Sequence, residues 1–285
     1  MKMKYLLLMT LIFISTFSIS EVFSQSKPSN PLEPGSESSA ILLGPVFGYN
    51  RSMHTVDLAS FAQEPLCPYF KNGEGNGFYV GLAYEHILDN KVNSRHSLIG
   101  KIVYNYLPAS LDVKTDDNYP SLVDDGKGGY TVVYTETNNK IEVNYSTITA
   151  EILYKFNPIE NFGLGVFVGP TFDFALTKKF EQKLLLEGQN NVQFIRLSEA
   201  EQIQKFGKLI RYEDNDRTIV INDEDIPDAN PFRLGIKAGL QYAWDLQGWV
   251  VIPQVAYNFG VTKLSSSEDW RVNAFQIGVD VRFSF

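Results

Sequence analysis

Cysteine is almost absent: Cys67 stands alone in 285 residues, which excludes an intrachain disulfide and any cysteine-based zinc site. Histidine is nearly as scarce, at His54, His86 and His96. A Ser–His–carboxylate hydrolase needs its imidazole within hydrogen-bond reach of a serine and an acid. His54 lies in the first long loop beside Asp57 and Ser60, and nothing in the sequence brings the three together. The histidines are therefore read as surface residues, and no catalytic residues are expected. Lys and Arg number 25 against 33 Asp and Glu, a net charge of −8. Such a balance cannot neutralise phosphates, so no nucleic-acid partner is expected. Beyond the extreme N-terminus no apolar run reaches the roughly 18 residues of a spanning helix. A membrane protein of this sequence does not cross as helices.

The N-terminus reads as an address. Lys2 and Lys4 precede an apolar run from Tyr5 to Ile14, and Val22 and Ser24 occupy the small positions before a cut at Gln25. Residues 1–24 are thus expected to be a signal peptide rather than a retained anchor. Residues 25–39, rich in Pro and Ser and without periodicity, form a flexible leader, and 40–285 form one domain.

Alternation dominates from Ala40 onward. In the last run Phe275, Ile277, Val279, Val281, Phe283 and Phe285 share one face, while Gln276, Gly278, Asp280, Arg282 and Ser284 share the other. Eight such runs are present, at about 40–50, 77–87, 96–107, 140–156, 162–176, 232–245, 249–263 and 270–285. Most have the nine to eleven residues or more that a tilted strand needs to cross a bilayer. The connections alternate too. Leu88 to Arg95, Asn157 to Asn161 and Asp245 to Gly248 are short, whereas Arg51 to Asn76, Pro108 to Asn139 and Thr177 to Pro231 are long. Short turns on one rim and long loops on the other mark an outer-membrane barrel with periplasmic turns.

The character of the two faces separates this from a soluble barrel. The face opposite the aliphatic one carries small residues and mixed charges: Glu85, Lys101, Glu151, Lys155, Asp173, Arg233, Lys237, Asp280 and Arg282. In an eight-stranded interior, filled by side chains, these nine are expected to form a buried network of ion pairs. Aromatics gather at run ends, as in Tyr104, Tyr154, Tyr242, Trp249 and Phe283, where interfacial girdles belong. The fold class is therefore all-β, a single eight-stranded antiparallel up-and-down transmembrane β-barrel with long extracellular loops. Ten strands result if the third long loop adds a pair.

The segments GPVFGYN, GFYVGLAYEH, RLGIKAGLQYAWDL and the terminal QIGVDVRFSF resemble the OmpA-like, eight-stranded barrels of the porin family, of a type abundant in the Bacteroidetes–Chlorobi group. The resemblance covers about 40–285. It implies residence in the bacterial outer membrane, with outer-membrane lipid and the barrel-assembly machinery as partners. It also implies that the terminal face from Phe275 to Phe285 is an assembly signal. No peptidoglycan-binding domain follows Phe285, so cell-wall anchoring is not implied.

Other chemistry fails on inspection. Read from Asp214, a calcium loop wants glycine at 219 and glutamate at 225, but these are Ile219 and Asp225, so the acidic stretch 213–228 reads as a solvated loop. Gly126 to Gly129 lacks the spacing of a phosphate loop, and Gly73 to Gly77 that of a dinucleotide fingerprint. Neither cofactor nor metal is expected. Tyr130 to Thr135 and Lys140 to Tyr145 read as a hairpin turning at Asn138–Asn139. Ser198 to Glu201 is a capping box, with Ile203 and Phe206 on one face of a short helix and Gly207 as its stop. Cys67 reads as an unpaired thiol in the first loop. The reading is a non-enzymatic outer-membrane protein with a structural role and an unknown extracellular partner for its loops. The alternative is a narrow, low-conductance pore.

Overall fold

A computed structural model describes residues 41–57, 70–88, 95–124, 129–159, 162–188, 191–246 and 249–284. Residues 1–24 and 25–39, expected to be a signal peptide and a leader, lie outside the described residues, as do Cys67 and Phe285. The described chain is almost wholly β: β1 (Ile41–Asp57), β2 (Asn72–Ile87), β3 (His96–Tyr106), β4 (Ala109–Asp124), β5 (Tyr130–Phe156), β6 (Leu164–Leu186), β7 (Val192–Phe194), β8 (Arg211–Glu213), β9 (Thr218–Asp225), β10 (Phe232–Tyr242), β11 (Trp244–Asp245), β12 (Trp249–Gly260) and β13 (Asp269–Ser284), with one helix, α1 (Glu199–Phe206). All pairings are antiparallel, within one sheet.

Eight strands pair in a cycle. From β1 the order runs through β2, β3, β5, β6, β10, β12 and β13, and β13 pairs with β1 again. Each of the eight period-two runs overlaps one of these strands and overruns its ends by at most three residues, the run at 232–245 also taking in β11. Strand order follows chain order because each strand returns beside its predecessor, apart from the insertions β4, β7 to β9 and β11. The short turns share one rim with Ile41 and Ser284, and the long connections share the other.

On that far rim the chain stays ordered well past the expected run ends. β5 continues without a break through Asn138 and Asn139, because β4 pairs along one edge of it (Lys114↔Asn138) and β6 along the other (Asn139↔Leu184). The expected hairpin turn there is replaced by a hairpin between β4 and β5. Two further corrections concern loops: Gly73 to Gly77, at the end of the first long connection, lies inside β2, and the acidic stretch 213–228 runs from the last residue of β8 through a turn and β9. In β9, Thr218 to Asn222 are all buried, so this stretch is no solvated loop. These elements enclose an apolar core of their own, Leu184, Leu186, Val192, Phe194, Phe206, Ile219 and Ile221.

The helix α1 forms where its capping box sits. Ser198 Oγ accepts from the Glu201 N–H, and the Glu201 carboxylate accepts from the Ser198 N–H at 2.8 Å. Phe206 faces the core, but Ile203 is exposed rather than sharing that face. Gly207 ends the helix at φ 72°, its N–H donating to the Ile203 carbonyl. A Cβ there would meet nothing within 4 Å, so Gly207→Ala should cost only the backbone strain, about 1 kcal/mol. Amide exchange across Glu199–Phe206 should quicken several-fold; unchanged exchange would show that the left-handed turn does not hold the helix.

Candidate functional site

The two faces of the cycle are opposite in kind. Lys101 is 3% exposed and its neighbour Ile102 is 65% exposed. The same inversion recurs around the ring: Phe47, Leu82, Ile152, Val168, Ile236 and Ile277 are exposed, while Glu85, Glu151, Asp173, Lys237 and Asp280 are buried. Because side chains alternate across a strand, period two sends all nine singled-out charges inward together. None exceeds the 9% exposure of Lys155. Phe275, Ile277, Val279, Val281 and Phe283 point outward along β13.

From the rim of short turns inward, the charges stack in layers. Lys155 and Ser97 bind Glu85, and Arg282 bridges Glu85 to Asp280. Asp280 also takes Lys101 Nζ at 3.0 Å. Gln254 ties the two together, accepting from Lys101 at 2.8 Å and donating to Asp280 at 2.8 Å. The middle layer pairs Lys237 Nζ with both oxygens of Glu151, at 2.8 and 3.0 Å. Above it Asp173 accepts from Arg233 at 2.9 Å and from Thr149 at 2.7 Å. An amide layer follows, in which Gln276 Nε2 donates to Asn50 at 2.6 Å and to Asn105 at 3.2 Å. A lone charge in such a place costs several kcal/mol, so the carboxylates and cations stand beside one another.

Apolar side chains fill what the ion pairs leave. Tyr79 crosses from β2 and lies against Gly48 and Gly278, where any Cβ would overlap its ring or hydroxyl. Phe167 from β6 packs over Gly239 in the same way, beside Ile99, Leu153 and Ala256. At the far rim an apolar lid closes the interior, built from Val56, Phe70, Leu107, Ile141, Tyr145, Leu264 and Trp270 among others.

His54 belongs to this lid, at 1% exposure, so its reading as a surface loop residue is corrected. Its Nδ1 accepts from Trp270 Nε1–H at 3.1 Å, and its Nε2–H donates to the Leu107 carbonyl at 3.2 Å. Neither partner could take the reverse role, which fixes a neutral imidazole with its proton on Nε2. No serine or carboxylate contacts it among the described residues. His86 and His96 lie at the other rim, against Tyr84 and Tyr154. Sequence reasoning missed His54, Tyr79 and Gln254. The parity of their strands held the signal, His54 sharing that of Val46, Asn50 and Ser52.

No group of histidine, cysteine and carboxylate side chains among the described residues could hold a metal ion. The Asp214–Asp216 turn has three successive residues at positive φ, tied by Thr218 Oγ1–H to Asp214 at 2.8 Å and by a two-pronged Arg196–Asp216 pair. Its carboxylates are thus used internally.

No protein-family model and no curated protein sequence matches the chain. Among solved structures it is similar to Ail, the attachment invasion locus protein of Yersinia pestis, solved with the heparin analogue sucrose octasulfate (TM-score 0.33, 14% identity, 85% of this chain and 99% of that one). Neisserial surface protein A is also similar (TM-score 0.35, 12% identity, 87% and 100%), as is the outer-membrane protease OmpT of Escherichia coli (TM-score 0.32, 7% identity, 86% and 97%). These neighbours are outer-membrane β-barrel proteins. At such scores and identities no single likeness carries weight, and the reading rests on this chain's own pairings and burial.

Proposed function

We propose that this chain is a non-enzymatic, eight-stranded barrel of the bacterial outer membrane, which contributes to envelope structure and presents its far-rim elements to an extracellular partner. One observation carries the reading: the chain buries its charges and exposes its aliphatic residues along the same strands, as between Lys101 and Ile102. In water a continuous aliphatic band is an aggregation surface. In lipid it is the solvated face, and a cycle of pairings leaves no backbone group unbonded there. The outward band is bounded above by Tyr49 and the exposed Arg51–Glu74 ion pair, and below by Tyr154, Trp249 and Phe283. The filled interior and the apolar lid favour a closed barrel over a conducting one.

The purified protein should require detergent and migrate faster on gels unboiled than boiled. A monomer that stays soluble without detergent would overturn the membrane reading. Refolded into planar bilayers at neutral pH it should pass no measurable current; steady conductance would favour the pore.

The assembly-signal proposal concerns Phe285, the residue that follows β13 in the sequence. Its deletion should reduce the amount of folded barrel in cells at least tenfold, while the unfolding midpoint of refolded protein moves little. An interfacial aromatic that only packs is worth about 1–3 kcal/mol, and would lower both together. Normal assembly without Phe285 would remove this support for the location.

A further inference from the structure

Within the lid lies a polar joint, and that joint is a histidine. His54 sits between the Trp270 indole and the Leu107 carbonyl, 6.0 Å from Trp270 in an edge-on arrangement. The apolar cluster that holds Trp270 is drawn from β1, β4, β5, β6 and β13 and from Phe70, Leu107, Ile226 and Leu264 beside them. Beneath the lid lie Arg233 and the amide layer. His54 is three residues beyond Arg51, which closes the outward apolar band, so it lies on the extracellular side of the membrane-facing belt. The inference rests on the ring and its lid, and not on the surrounding phase.

We propose that His54 is an acid-sensitive latch, whose protonation releases Trp270 and loosens the lid over the polar interior. A proton on Nδ1 would turn an acceptor into a donor, so that Nδ1–H and the indole N–H face each other across 3.1 Å. It would also place a positive charge near Arg233, the charged group the ring faces. The other polar groups near the joint have engagements of their own: on β6, Asp173 binds Arg233; on β5, the Tyr145 ring lies under the Arg233 guanidinium; and Glu268, buried in the turn before Trp270, has an interaction of its own. Burial first, and Arg233 second, push the imidazole down to about 3 from its ordinary 6.5.

The sign follows from linkage. A histidine whose closed-state pKa is depressed contributes fully above about pH 6.5 and loses that contribution as the pH falls from 6.5 towards 3. At pH 5 the closed imidazole is still neutral, whereas one freed by opening is charged. Opening is then favoured about 30-fold over its value at pH 7.5, whatever the closed pKa below about 4.

Hydrogen exchange of the Trp270 indole N–H, read by NMR on the full chain in detergent micelles, measures this opening directly. Corrected for the intrinsic pH dependence of exchange, protection should fall about 30-fold between pH 7.5 and 5. In His54→Asn, whose amide oxygen can still accept the indole proton but does not titrate, it should stay within twofold. Flat protection in the wild type, or a parallel fall in the variant, would overturn the latch. The wild-type His54 ring protons give a second reading that needs no variant: their shifts should not move between pH 7.5 and 5. A midpoint near 6.5 would show that the closed lid already accommodates the charge.

Discussion

Arg282→Met should lower the stability of the refolded protein by about 3–5 kcal/mol, measured as urea unfolding in lipid vesicles. Arg282 is fully buried and holds Glu85 with one nitrogen and Asp280 with another. Methionine fills much of the volume, so the cost is electrostatic: each carboxylate keeps one lysine, Lys155 or Lys101, but loses the cation between them. Two carboxylates then face each other in a dry interior. Arg282→Lys restores a charge but cannot span both partners, and should fall between the wild type and the methionine variant. Lys155→Met should cost far less, because that side chain reaches the rim and is 11% exposed. A loss below 1 kcal/mol for Arg282→Met would mean that water reaches this layer and screens it.

Gly278→Val should leave no folded, heat-modifiable species at all. The Cβ would overlap the Tyr79 hydroxyl and lie 2.5 Å from the Phe47 carbonyl on the paired strand. One of these obstacles is backbone and cannot turn aside, and the other is a buried ring packed against Gly48. Gly100 supplies the control, since a Cβ there meets nothing within 4 Å. Gly100→Val adds a β-branched residue to a strand and should fold within about 0.5 kcal/mol of the wild type. Equal behaviour of the two variants would show that Tyr79 does not occupy the space between β1 and β13.

The comparison of these two glycines also shows where the sequence could be read and where it could not. Parity alone places Gly278 with Asp280 and Gln276 on the inward face, and parity sent the nine charges inward as well. It works because each strand of the ring has two unlike surroundings, so every second residue reports the same environment. It fails beyond the rim. In β9 the run Thr218 to Asn222 is buried on both faces, and alternation vanishes. Asn138 and Asn139 carry a strong local turn preference, but pairing on both edges of β5 overrides it. His54 lay beyond the last strongly patterned residues of β1, where Arg51, Ser52 and Thr55 look like the start of a loop. The helix α1 was legible because a capping box is a purely local device.

The seam between β1 and β13 has a consequence for the order of events during folding. It joins the first strand of the ring to the last, and Asn50 and Gln276, bonded across it, are 226 residues apart in the chain. No part of the ring can close until the final strand has been delivered, so the nascent domain passes through its whole synthesis with both edges open. Contacts so distant in sequence make folding slow, on the scale of milliseconds to seconds at best for such topologies. Throughout that interval the aliphatic residues that will face outward are unprotected in an aqueous compartment. A chain built this way is open to aggregation until its two ends meet, so the time to seam closure, rather than the strength of any one ion pair, bears on how much of it reaches the folded state.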